Sequence, residues 1–389
     1  MKKAVSRITA GVLCFAAAAS LSACKSAGSG GSAMPSGGII KIGVVVPLTG
    51  QQSTFGQSAK KSIAMLQDET NGAGGINGRK VEFLIQDDEG KAATSVTVGK
   101  KLLDSDKVVA IVGPLLSTCA NSLAPICQQS GVPMVTGTGT NVNITKAGDF
   151  IFRTCFIDPF QGEVMAKFAS EDRKAKTAAI LYNIGDDYSK GLAQAFSDSF
   201  TSKGGKVVDK ETYNTGDKDF NAQLTKIAPS APDVLFLPEY YGDVGVIARE
   251  ARSTGIKATL LGGDGWDSPQ LFQIGSDAVN DSYFSNHYAA DDTSKEVVDF
   301  VKAYKARYGG ETPDAMAALN YDAAKVLLQS IQKANSTDGS KIRDALKNYD
   351  GTVVSGHIKF NENRDAVKAA VIIKTDNGQE KFFKKIQPD

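Results

Sequence analysis

Short apolar runs recur from Lys41 onward: Lys41 to Val46, Val81 to Ile85, Val108 to Val112, Val132 to Val135, Thr177 to Tyr182, Val207 to Tyr213, Asp233 to Leu237 and Ala258 to Leu261. Their length and their Val, Ile and Leu content predict strands. Between them the apolar positions fall three or four apart, which predicts helices. Ala59, Ile63 and Leu66 mark one helix face and Val96, Val98, Leu102 and Leu103 another, with similar stripes in 160–172, 188–202, 242–254 and 294–308. Strands that are apolar rather than alternating are buried on both faces, as in a parallel sheet covered by helices. The expected class is α/β.

Eight or more such strands in one sheet would be unusually wide, so two doubly wound parallel-sheet lobes are expected. The run Arg153 to Pro159 interrupts the alternation where a first sheet of four to five strands would be complete, and the first crossing is placed there.

Composition narrows the function. The 389 residues are 42% hydrophobic and 22% charged, enough for a packed core and too little charge for disorder. Lys and Arg number 44 against 43 Asp and Glu, with no basic block to neutralise a run of phosphates, so nucleic acid is not an expected partner. Only His287 and His357 are present, which excludes a His-rich metal cluster. Both read as structural residues near later crossings. G-x-S-x-G, G-x-x-x-x-G-K-[ST] and G-x-G-x-x-G are all missing, so the usual handles for acyl, nucleotide and dinucleotide chemistry are absent. Binding without a cofactor or metal is favoured over catalysis.

The first residues read as an address. Lys2, Lys3 and Arg7 precede an apolar stretch from Thr9 to Ser20, too short to span a bilayer and typical of a secretory signal. It ends in Leu21-Ser22-Ala23-Cys24, which resembles the lipobox of bacterial lipoproteins, with Cys24 as the lipid anchor. Cys14 lacks the small residue needed just before it. The expected organisation is a signal over 1–23 and a lipidated Cys with a Gly/Ser tether over 24–38. The body would sit outside the cell membrane, or in the periplasm. Cys119 and Cys127, on one expected helix, stand about 12 Å apart and cannot bridge. A bond from Cys155 to either, or three buried free thiols, both remain open.

In open parallel sheets a ligand sits beyond the carboxyl ends of the strands. After Val112 comes Gly113-Pro114-Leu115-Leu116-Ser117-Thr118 and then a helix-like segment. Ser117 or Thr118 is expected to cap it, and the bare N–H groups of a helix start suit a carboxylate, although a cap without a ligand is as simple a reading. Thr136 to Asn141 (TGTGTN) offers hydroxyls and close backbone approach, or a plain solvated turn. In LLGGDGWDS, Asp264 follows a strand and could pair with an ammonium or form an Asx turn, with Glu239 as the rival acid. Phe55, Tyr188, Tyr240, Tyr241 and Trp266 share this set of loops and could wall an apolar pocket. Asp87 to Glu89 is read as capping the helix from Lys91 rather than as a metal loop.

The segments IGVVVPLTG, NGAGGINGRKVEFLIQDDEG, VAIVGPLLST, GVPMVTGTGT, IGDDYSKGLA and LLGGDGWDS, in this order, resemble the type I periplasmic binding proteins, specifically the branched-chain amino acid (Leu/Ile/Val) binding family of ABC importers, over Ile40 to Lys385. The resemblance implies two lobes joined by a three-strand hinge, 39–156 plus 287–357 and 157–286 plus 358–389. It implies contacts from Ser117, Thr138 and Thr140 to an α-carboxylate and α-amine, joined by Tyr188, Tyr240 and Asp264 from the second lobe. Where the family commonly has an ammonium-binding Glu, this chain has Asp264, and a frequent aromatic hydroxyl is replaced by Phe55. The implied function is capture of Leu, Ile, Val or another neutral amino acid by a monomer, closing on its ligand and delivering it to ABC permease subunits, with membrane association only through the lipid. A sensor presenting its ligand to a receptor is the alternative. An enzyme is disfavoured because no activated nucleophile is visible.

Overall fold

A computed structural model describes residues 38–388; the expected signal, Cys24 and nearly all of the tether lie outside the described residues. The first sheet holds β1 (Ile40–Val46), β2 (Val81–Asp87), β3 (Ile111–Val112), β4 (Met134–Thr136) and β5 (Ile151–Arg153), all parallel, in the order 2-1-3-4-5. β1 is buried at every position but Lys41, as burial on both faces requires.

The second sheet starts from β6 (Thr177–Asn183), β7 (Lys206–Tyr213), β8 (Val234–Leu237), β9 (Thr259–Gly262) and β10 (Ser282–Asn286). These five are parallel and repeat the winding of the first sheet, in the order 7-6-8-9-10. The two-lobed, doubly wound α/β class is therefore observed. A short ribbon of β11 (Asp350–Val353) and β12 (Gly356–Lys359) stands apart. The second sheet is not purely parallel, because β13 (Ala370–Asp376) and β14 (Gln379–Ile386) extend it antiparallel beyond β10. Their connection is Asn377-Gly378, both with positive φ (49° and 75°), the two-residue turn that suits a tight hairpin.

The helical stripes fall close to expectation, at Asp158–Lys167, Asp187–Ser202, Tyr241–Ser253 and Lys295–Arg307. Asp88 does not occupy the N-cap position of the helix Ala92–Lys100, which is Lys91; it accepts from Gly90 N and Ser95 Oγ instead.

The chain leaves the first sheet after Arg153, and after β10 it returns to lay the helix Ala315–Ala334 against Ser53–Gly72. The last change of sheet follows Ala366, later than residue 358. Bridges Arg153–Asp365 and Phe360–Ala366 keep that stretch beside the first sheet. Cys119, Cys127 and Cys155 are buried and free; burial pushes the thiols of Cys127 and Cys155 up to about 12, so they are inert.

Candidate functional site

The parallel strands of both sheets reverse their order at one point, between β1 and β3 in the first and between β6 and β8 in the second. Loops leaving the carboxyl ends of neighbouring strands diverge there and open a crevice. The two crevices face each other. Phe55, Ser117 and Thr138 from the first lobe and Tyr188, Tyr240 and Asp264 from the second line one cavity, together with Leu115, Leu116, Gly265 and Met316. It measures about 20 Å³, room for little more than one water. The lobes are therefore shut, and admitting any larger molecule requires them to part.

Ser117 is the first residue of the helix Ser117–Ser130 rather than its cap; Leu116 holds the N-cap position without a side-chain bond. Ser117 Oγ instead accepts from Asn141 N (3.2 Å), fixing the TGTGTN loop against the helix start. Thr118 does not cap either. Its hydroxyl donates to Asp186 Oδ2 and accepts from Asp187 N, both at 2.9 Å, across the two lobes. The first-turn N–H groups of this helix have no intrahelical acceptor. Thr138 Oγ1 donates to Leu115 O (2.8 Å). Thr140 is fully buried and does not line the cavity; its hydroxyl stands beside the Asp158 carboxyl.

From the second lobe, Tyr188 and Tyr240 stack with ring centroids 5.2 Å apart, and Phe55 meets Tyr240 edge-on at 6.2 Å. Tyr188 OH accepts from Gly265 N (3.1 Å). This close approach needs glycine at 263, where a Cβ would come within 2.5 Å of the Tyr188 hydroxyl. Tyr241 packs edge-on against Phe55 and donates to Gln51 O (2.6 Å), a further bond across the lobes.

Trp266 is not brought to the cavity. It is fully buried, its Nε1 donates to Leu237 O (3.0 Å), and its indole fills the space that a side chain at Gly262 would occupy. An aromatic residue in a loop read as wall is thus part of the core below it. Glu239 also turns away, accepting from Tyr213 OH and Tyr240 N at 2.9 Å each. Burial pushes its carboxyl well above the usual range, with Asp186 and Asp243 adding repulsion.

Asp264, 3% exposed, is the acid at the cavity. Oδ1 accepts from Gln161 Nε2 (2.8 Å), and Oδ2 faces His287 Nε2 (3.1 Å). His287 is therefore a site residue rather than only a structural one; it stacks on Phe156 at 3.5 Å, and burial pushes its ring down to about 4. Asp158 lies close by, fully buried; burial holds its carboxyl well above the usual range, with the neighbouring Thr140 hydroxyl pulling the other way. Sequence reasoning missed Gln161, His287 and Met316. The signal that could have found them is position: Gln161 follows the interruption at Arg153 to Pro159, His287 directly follows β10, and Met316 lies in the first turn of the helix Ala315–Ala334.

Among the described residues no group of three or more His, Cys, Asp or Glu could hold a metal ion, and no helix is long and apolar enough to cross a membrane. The site is a two-sided clamp with hydroxyls and a helix start on one lobe, an acid on the other, and apolar side chains from both.

The model of the periplasmic binding protein family matches residues 39–380, nearly the whole described chain. The chain belongs to the periplasmic binding protein family. Within it, this binding protein is 34% identical to a Leu/Ile/Val-binding protein of Rhizobium johnstonii, over 84% of this chain and 88% of that one. Among solved structures, a leucine-binding protein of Thermotoga maritima superposes with a TM-score of 0.86 at 36% identity, covering 90% of this chain and 99% of that one. A branched-chain amino acid transporter substrate-binding protein of Streptococcus pneumoniae, in complex with isoleucine, gives 0.85 at 30% identity, covering 90% and 100%. These likenesses set the chain in the type I, branched-chain amino acid group.

Proposed function

We propose that this protein captures a neutral branched-chain amino acid between its lobes and hands it to an ABC importer. The observation that carries the reading is that one cavity joins Asp264 to Ser117, Thr138 and a helix start, with Phe55, Leu115, Leu116 and Met316 beside them. An acid suits an ammonium, bare N–H groups and hydroxyls suit a carboxylate, and the apolar residues suit an aliphatic side chain. The Leu/Ile/Val-binding relative and the isoleucine-bound neighbour support the same ligand class. Tyr188 and Tyr240 close over the ligand from the second lobe, and Thr140 supports the loop from behind. Trp266 acts through packing alone.

Nothing in the cavity resembles an activated nucleophile, so the protein binds its ligand without turning it over. Delivery requires permease subunits, and Leu21-Ser22-Ala23-Cys24 supports lipid anchoring at Cys24 on the outer face of the cell membrane.

Calorimetry with leucine, isoleucine and valine tests the reading. Asp264→Ala weakens leucine binding at least about tenfold, roughly 1.4 kcal/mol; an unchanged dissociation constant rejects its role. Cys24→Ala releases the protein from the membrane fraction, and retention there rejects the anchor.

A further inference from the structure

The acid of the site is itself gripped by residues outside the strand-end loops. Gln161 comes from the helix Asp158–Lys167, just past the first crossing, and His287 stands on the second. We propose that His287 is a positioning residue, whose Nε2–H fixes the Asp264 carboxylate at the cavity while the uncharged ring leaves that carboxylate's full charge to the ligand ammonium. This inference rests on Asp264 being the ammonium acceptor.

The geometry dictates the tautomer. Two bare acceptors do not face each other at 3.1 Å, so the nitrogen toward Asp264 Oδ2 carries the proton. The other ring nitrogen, Nδ1, is buried with no hydrogen-bond partner among the described residues. A proton there would be a stranded buried donor, which is costly, whereas a bare nitrogen costs less. The ring is also sandwiched against Phe156 at 3.5 Å and is 3% exposed, a poor setting for an imidazolium. Burial is the main cause that pushes the ring down to about 4; Asp264 pulls the other way, and Lys368, facing it from the last crossing, adds to the downward push.

The electrostatic consequence is specific. A charged donor in this place would neutralise Asp264 and compete with the ligand's ammonium, whereas a neutral one orients the carboxylate and leaves its charge intact. Asp264 Oδ1 is held in the same way by the uncharged amide of Gln161. Two neutral donors, from a helix start and from the segment just past β10, thus hold a short acid where it lines the cavity.

The wild-type protein supplies the first test. With only His287 and the exposed His357 in the chain, 15N NMR of histidine-labelled protein reads each ring separately. His287 is expected to be protonated on Nε2 alone and to remain neutral from neutral pH down to about pH 5. A proton on Nδ1, or an imidazolium at neutral pH, overturns the proposal. The second test uses His287→Gln, which keeps a neutral donor, and His287→Leu, which removes it. Each is titrated calorimetrically with leucine and with its α-hydroxy acid counterpart, which lacks the ammonium. His287→Leu is expected to lose about tenfold for leucine and less than about threefold for the hydroxy acid, while His287→Gln stays within about threefold of wild type for both. Equal losses for both ligands, or no loss in His287→Leu, reject the proposal. If Asp264→Ala leaves leucine binding unchanged, the reading of the site fails; if Asp264→Ala weakens it and His287→Leu does not, only the role of His287 fails.

Discussion

Arg153 and Asp365 form a buried ion pair 212 positions apart in the chain, with Arg153 Nε 2.6 Å from Asp365 Oδ1. The same guanidinium donates from one terminal nitrogen to Gly139 O and Asn141 O, both at 2.8 Å, and from the other to Thr145 Oγ1. One fully buried side chain therefore ties the start of the first crossing to the approach of the last. It also holds the loop that carries Thr138 and Thr140. The two crossings and the loop that brings Thr138 to the cavity share a single anchor.

Removing one partner of a buried pair leaves the other charge stranded, which costs more than the intact pair contributes. Arg153→Met is expected to lose about 3–5 kcal/mol of stability, seen as a lower urea midpoint. Asp365→Asn keeps an acceptor for Nε but strands the guanidinium's charge, and is expected to lose a comparable amount. An unchanged midpoint in Arg153→Met excludes the anchoring role.

Thr118 bridges the lobes without lining the cavity, donating to Asp186 and accepting from Asp187 N, while Asn121 Nδ2 adds a 2.8 Å bond to Asp187 Oδ2. These contacts belong to the shut form, and whatever favours that form strengthens binding without touching the ligand. Two hydrogen bonds at about 1 kcal/mol each put the loss in Thr118→Val at roughly thirtyfold in dissociation constant. The order of preference among leucine, isoleucine and valine is expected to stay the same. A changed order in calorimetry refutes a pure latch.

Asp314 of the first lobe caps the helix Ala315–Ala334, accepting from Ala317 N, and Asp267 of the second lobe accepts from Ala315 N at the same helix start. Burial, and then the like charge of Asp267, push Asp314 up to about 7. Asp267 is raised as well, chiefly by burial. A raised acid binds its proton more tightly in the folded protein than in the unfolded chain. The stability it contributes is present in acid and is lost as pH rises through about 7. The melting temperature is expected to fall from about pH 4 to about pH 7 and to level off above it. Asp314→Asn, which still caps the helix, flattens part of that fall; a variant curve parallel to wild type removes Asp314 as the cause.

The strands of both sheet centres were legible because a strand buried on both faces is apolar at every position, a signal that needs no knowledge of its neighbours. β5, with three residues, and β10, with the sequence SYFSN, are defined by pairing rather than by local pattern and were not. Their polar positions find partners only after folding, as when Asn286 Nδ2 reaches Asp267. The strand-end rule picked loops that do meet, which brought Ser117, Thr138, Tyr188, Tyr240 and Asp264 to one cavity. It does not reach Gln161 or His287, which come from the helix after the first crossing and from the bend just past β10. It also misread Trp266, because a loop aromatic looks the same in sequence whether it faces the cleft or drops into the core beneath Gly262.

Met316 shows what that rule leaves out for selectivity. It opens the helix that Asp314 caps, is 2% exposed, and joins Phe55, Leu115 and Leu116 at the cavity. A flexible thioether fills irregular space and adapts to differently branched neighbours. Met316→Ala removes that filling, and a buried Met-to-Ala change leaves a void worth about 2–5 kcal/mol when nothing refills it. A bulkier ligand can refill it, so affinity for leucine is expected to fall while affinity for phenylalanine rises, compared calorimetrically in one variant. A parallel fall for both amino acids would mean that Met316 supports the fold and does not face the ligand's side chain.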